Sequence, residues 1–246
     1  MMTFRNRIYG TLAAVVALTL VACERGGEDK DRDEQDSSAS AATPAAMPAV
    51  AARPAPIDPV PAAVAAVGHH AENAYDMAKL SDWPKARVVV DSLKGAAAQV
   101  DTMSRLGDRR ASLRTSVAAL DAAVTARRRD AALRESNHLT EVGAELARPF
   151  KPLVPTEVTL LDYYGRELEI WAAAGNAGKL RETRAAIRRT WDELRPQIAA
   201  HGGAAESARF DSLMTRVDAA RATRDYAALA TPVLDEVDNL EKVFTR

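Results

Sequence analysis

Two imidazoles and two carboxylates fall within eight residues, the one place in the sequence where two histidines stand together: His69, His70, Glu72 and Asp76. On a helix, spacings of three and seven place His69, Glu72 and Asp76 on one face. Imidazole suits Zn²⁺ and Cu²⁺ alike. A complete site takes three or four ligands, so a Glu or His from a facing helix would have to close it. In the competing reading His70 is a core residue, and His69, Glu72 and Asp76 make a solvated polar face. The other two histidines have local explanations. His138 flanks an apolar stripe, where a half-buried, hydrogen-bonded ring is expected, and His201 precedes Gly202-Gly203 as a helix C-cap.

A second concentration is aromatic and cationic. Tyr163 stands beside Tyr164, Arg166 and Glu167, and Arg184 and Arg188 share a face of a later helix. Tyr and Arg are over-represented at binding hot spots, so Tyr163, Arg166, Arg184 and Arg188 are read as a candidate interaction surface. The plainer alternative is core packing for Tyr164, Trp171 and Trp191 and a solvated face for the arginines. No CxxCH, HExxH, G-x-S-x-G or phosphate-cradling glycine loop occurs, which removes the commonest enzymatic signatures.

These residues must be positioned by helices. Apolar residues recur at steps of three and four from Val64 to Met77, Val89 to Met103, Leu106 to Val124 and Leu139 to Leu146. The pattern returns from Leu161 to Trp171, Leu180 to Ile198, Phe210 to Val217 and Tyr226 to Phe244. Each set makes a single stripe that needs a partner helix, so eight helices are implied. Ser81 or Asp82 ahead of Trp83-Pro84 reads as an N-cap with proline in the first turn. Gly107-Asp108, Asp130, Gly175 to Gly178 and Gly202-Gly203 mark further turns. Pro196 and Pro232 fall inside helical stretches, where a kink or boundary is expected.

The two halves repeat. Moving the chain by ninety-four positions sets Val60-Pro61 on Val154-Pro155, Val67 on Leu161, Met77 on Trp171, Lys85 on Lys179, Leu93 on Ile187 and Val100 on Leu194. A small extra shift sets Ala126 to Leu133 against Ala222 to Leu229. The expected fold is therefore all-α, with two tandem, duplicated four-helix units at 61–150 and 151–246. Up-down bundles and a short α-solenoid both satisfy the spacing.

Ahead of the helices the composition changes. Arg5 and Arg7 precede an apolar run from Ile8 to Val21 that is too short to span a bilayer and ends at Ala22-Cys23, the sole cysteine. The segment Leu20-Val21-Ala22-Cys23 resembles the lipobox of bacterial lipoproteins. The resemblance implies a signal peptide over 1–22, cleavage before Cys23, acylation at Cys23, and a place in the cell envelope facing the extracytoplasmic side. Residues 23–60 read as a disordered tether, first acidic from Glu24 to Asp36 and then Ala-, Ser- and Pro-rich, because neither part offers enough apolar surface to offset ordering entropy. The formal charge is −1, and −3 once Arg5 and Arg7 are removed, which is unlike a nucleic-acid binder. With Cys23 acylated no disulfide forms, so packing must carry stability.

The leading expectation is a membrane-anchored, non-enzymatic binding or scaffold module whose partner is another envelope protein. A metal- or small-ligand-binding bundle using His69, His70 and Glu72 is the second, and a hydrolase a distant third.

Overall fold

A computed structural model describes residues 59–246; the lipobox, Cys23 and nearly all of the expected tether lie outside the described residues. Eight α-helices follow one another: α1 Ala62–Lys79, α2 Trp83–Asp101, α3 Arg109–Thr125, α4 Arg129–Ala147, α5 Thr156–Ala173, α6 Ala177–Ala200, α7 Ala204–Ala219 and α8 Thr223–Phe244. Among the described residues there is no strand. Each half is an antiparallel four-helix unit in which the first helix packs on the second and the fourth, and α5 then packs against α4.

The apolar stripes explain the two cores. Val67, Leu93, Leu113, Leu120, Leu139 and Leu146 are fully buried among α1–α4, and Leu161, Leu180, Ile187, Trp191, Phe210 and Met214 among α5–α8. Burying each such side chain stabilises the fold by roughly 1.5–3 kcal/mol. Trp191 lies 4.4 Å from Phe210 between ring centroids and fills the second core where the repeat places Ala97 in the first. Trp171 packs against both cores, and Ile170 of α5 is buried in the first.

The repeat extends to the turns. Asp82 caps α2 by accepting from the Lys85 backbone N–H at 3.3 Å, and Asn176 caps α6 by accepting from Lys179 N–H at 3.0 Å. Just before them, Ser81 and Gly175 take left-handed backbone at φ 56° and 66°. Close helix pairs rest on small residues. A Cβ at Gly143 of α4 would stand 3.2 Å from the Gly68 Cα of α1.

Of the kink or boundary expected at Pro196 and Pro232, the boundary does not occur, since α6 and α8 run through both. Pro196 leaves the Asp192 carbonyl, one turn back, without its helical donor, at an exposed residue where water can take the place. Around Pro232 the buried run Leu229, Ala230, Val233 and Leu234 holds α8 to its neighbours strongly enough to outweigh a missing N–H.

Candidate functional site

Where α4 and α5 meet, the core pattern gives way to polar side chains. Ser136, Asn137 and Thr140 interrupt the inner face of α4 and are fully buried. Buried polar groups need partners: Ser136 Oγ donates to the Ala132 and Leu133 carbonyls of α4 itself, and α5 supplies partners for Asn137 and Thr140. Asn137 Nδ2 donates to the Tyr163 carbonyl at 3.1 Å and to Glu167 Oε1 at 3.0 Å, while Trp171 Nε1 donates to Glu167 Oε2. Burial raises the Glu167 carboxyl above the usual range, and these two donors counteract part of the rise.

One turn away lies a buried ion pair. Arg166 is 6% exposed and Asp162 1%; their Nη2 and Oδ2 atoms are 3.0 Å apart. Arg166 Nη1 also donates to Thr140 Oγ1 of α4 at 3.4 Å, and the guanidinium carbon lies 5.0 Å from the centre of the Tyr75 ring of α1. Tyr75 OH donates to Glu169 Oε2 at 3.2 Å, and Lys79 Nζ pairs with Glu169 Oε1 at 2.6 Å. Burial and the neighbouring Glu169 push the Tyr75 hydroxyl pKa well up. Through these contacts α5 is tied to α4 and to α1.

Above this seam a half-exposed surface opens. The Tyr163 and Tyr164 rings lie 4.9 Å apart and tilted by 58°, and across from them His138 Nδ1 stands 3.1 Å from Glu141 Oε2. The hydrogen bond to Glu141 raises the His138 pKa despite desolvation. Burial, then Glu167 and Glu141, raise Tyr163; burial and Glu141 raise Tyr164. Both phenols therefore stay protonated at neutral pH. Each hydroxyl thus keeps a proton to donate in a hydrogen bond.

The residues expected at an interaction surface are divided by this geometry. Tyr163 reaches it. Arg166 does not: it is sealed beneath, because α4 and α1 cover the face that a lone helix would leave open. Arg184 and Arg188 lie elsewhere, engaging the Asp218 carbonyl and carboxylate of α7. The expected ligand set does not converge either. His69 is exposed, with Nε2 2.9 Å from Asn73 Nδ2; His70 is half-buried, with its pKa lowered by burial and by His69; Glu72 is buried; Asp76 is exposed. Among the described residues no group of three or more His, Cys, Asp or Glu side chains is placed to hold a metal ion. His201 caps α6 as expected, its Nδ1 2.8 Å from the Gln197 carbonyl oxygen.

Asn137, Thr140, Asp162 and Tyr75 were not singled out by sequence reasoning. Two signals pointed to them. Polar residues break the α4 stripe, and Asp162 and Arg166 stand four apart, the spacing of an intrahelical pair. Comparison with protein-family models finds no match, and comparisons with curated proteins and with solved structures find none either.

Proposed function

We propose that this chain is a bacterial lipoprotein, anchored through Cys23, whose helical part is a non-enzymatic binding module for another protein of the cell envelope. The α4–α5 face is its contact surface. The observation that carries this reading is the half-exposed Tyr163–Tyr164 pair, set beside His138 and Glu141 over a buried ion pair. Tyrosine offers large contact area with few rotors and a hydroxyl that still donates, the chemistry of an interface anchor. The Arg166–Thr140 and Asn137 bonds below hold the two helices in register, so little ordering remains to be done on binding. The anchor rests on Leu20-Val21-Ala22-Cys23 and the apolar run before it.

A photoreactive residue placed at Tyr163 in cells tests the face, with one at exposed Val88 of α2 as control. A discrete adduct from position 163 that Glu141→Lys abolishes is expected. Equal adducts from both positions, or none from 163, would remove the assignment. The anchor is tested separately by the mass of the mature N-terminal peptide and by release of a Cys23→Ser chain from the membrane fraction.

A further inference from the structure

Antiparallel helices gather alternate loops at opposite ends. At one end lie the α1–α2, α3–α4, α5–α6 and α7–α8 loops. Contacts tie the first three together: Lys79 at the end of α1 pairs with Glu169 near the end of α5, and Arg129 Nη2 donates to the Lys79 carbonyl at 3.3 Å. This end is basic. Residues 127–134 carry Arg127, Arg128, Arg129 and Arg134 against Asp130 alone. Arg127 and Arg128 are exposed and have no ion pair among the described residues. At the opposite end, where the chain enters α1 at Pro61, Arg114, Arg148 and Arg246 are neutralised by Asp101, by Glu145 and Glu157, and by Glu206; Arg109, Lys151 and the 61% exposed Leu153 lie there too, but without a run of three consecutive arginines.

The basic end also carries apolar surface. Leu80 is 52% exposed in the α1–α2 loop, and Trp83, three residues on, packs its inner part on the first core while remaining partly open. Two non-glycine residues here hold left-handed backbone, Ser81 at φ 56° and Arg127 at φ 51°. Glycine would take either conformation without strain. At Arg127 an exposed cation is thus kept where the backbone favours a bare residue.

We propose that this loop end is a docking surface for an anionic lipid bilayer, with Arg127, Arg128 and Arg129 among the phosphates and Leu80 and the rim of Trp83 in the headgroup region. Clustered arginines beside one aliphatic and one indole side chain match a negatively charged interface, whose surface attracts cations and whose headgroup layer accepts amphipathic rings. The α1 helix is roughly 27 Å long, less than the upper limit of ~3.4 Å per residue allows any chain the length of 23–60 to span, so the far end could reach the same membrane if Cys23 is anchored as proposed above. The proposal is independent of the α4–α5 face.

The test is co-sedimentation of the chain from residue 23 onward, carrying Cys23→Ser so that no acyl chain contributes, with vesicles of phosphatidylethanolamine and phosphatidylglycerol, and with vesicles of phosphatidylcholine. Binding to the anionic vesicles only, weakening with salt, is expected. Arg127→Gly/Arg128→Ala should bind roughly thirtyfold more weakly, at about fivefold per basic side chain, and Leu80→Asp should also weaken binding. Arg109→Ala/Lys151→Gly at the opposite end should not. Circular dichroism confirms that each variant is folded. Absent binding, equal binding to phosphatidylcholine, or full retention by the Arg127/Arg128 variant overturns the proposal. Binding of polyglutamate without binding of vesicles also overturns it, and assigns the surface to an acidic protein instead.

Discussion

Asp211 shows how one carboxylate serves a core and a surface at once. The fully buried Trp191 donates its indole N–H to Asp211 Oδ1 at 2.8 Å, and Arg195 Nε reaches both carboxylate oxygens at 3.0 and 2.9 Å. The Arg195 hydrogen bond first, and Trp191 after it, hold the Asp211 carboxyl below its usual 3.8. Between that folded value and 3.8 the unfolded chain binds more protons, so stability rises with pH there. The contribution is complete above 3.8 and is lost as pH falls through the folded value. Asp211→Ala should cost about 1–3 kcal/mol at neutral pH, chiefly because the Trp191 N–H is stranded. Asp211→Asn keeps an oxygen for the indole and should cost less, since the ion pair is largely solvent-exposed and contributes ~0–1 kcal/mol. Urea unfolding at pH 7 and towards pH 3 checks both, and a wild-type-to-Asn difference that ignores pH would refute the account. At this scale the sequence revealed one partner of two. Trp191 was readable as core from its stripe; Asp211 was not, because periodicity fixes the face of a residue but not which side chain meets it from the next helix.

The same asymmetry appears among elements. Helix number, the Asp82 cap and the proline after it, and the ninety-four-residue repeat were all legible, since caps, stripes and turns are local chemistry. The junction was not. A helical wheel puts Arg166 beside Tyr163 on an open flank, and only the arrival of α4 and α1 turns that flank inward. The His69, Glu72 and Asp76 spacing shows the same limit: Glu72 is buried while His69 and Asp76 are exposed, a difference that helical phase alone does not fix. Because Arg166 and Asp162 are both enclosed, Arg166→Ala leaves a buried carboxylate without its cation and should destabilise the fold by about 3–5 kcal/mol. Asp162→Leu/Arg166→Met, which removes both charges at similar volume, should recover most of the loss. Denaturant midpoints of the two variants distinguish a buried pair from a surface one, for which the single change would cost ~1 kcal/mol or less.

For the whole molecule the question is whether two cores make one cooperative unit. Each four-helix unit has its own apolar interior, and a polar seam between them would ordinarily permit independent opening. The helix α5 argues otherwise, because it belongs to both. Leu161 and Leu168 are buried in the second core, Ile170 in the first, and Trp171 touches the two. Unfolding the second unit therefore removes Ile170 from the first core, strips Tyr75 and Lys79 of Glu169, and leaves Asn137 and Thr140 without α5. The α4 face they occupy would then lie open to water, so the coupling rests mainly on the apolar burial that the first unit loses with α5. The first unit standing alone would keep its stripes and lose its seal. Hydrogen exchange followed by mass spectrometry should accordingly give the slowest amides of α2 and of α7 the same opening free energy, and Arg166→Ala should lower both together. If α6–α7 opened well below α2–α3, the seam would be a contact between two autonomous bundles, and the buried charges of α5 would serve orientation without cooperativity.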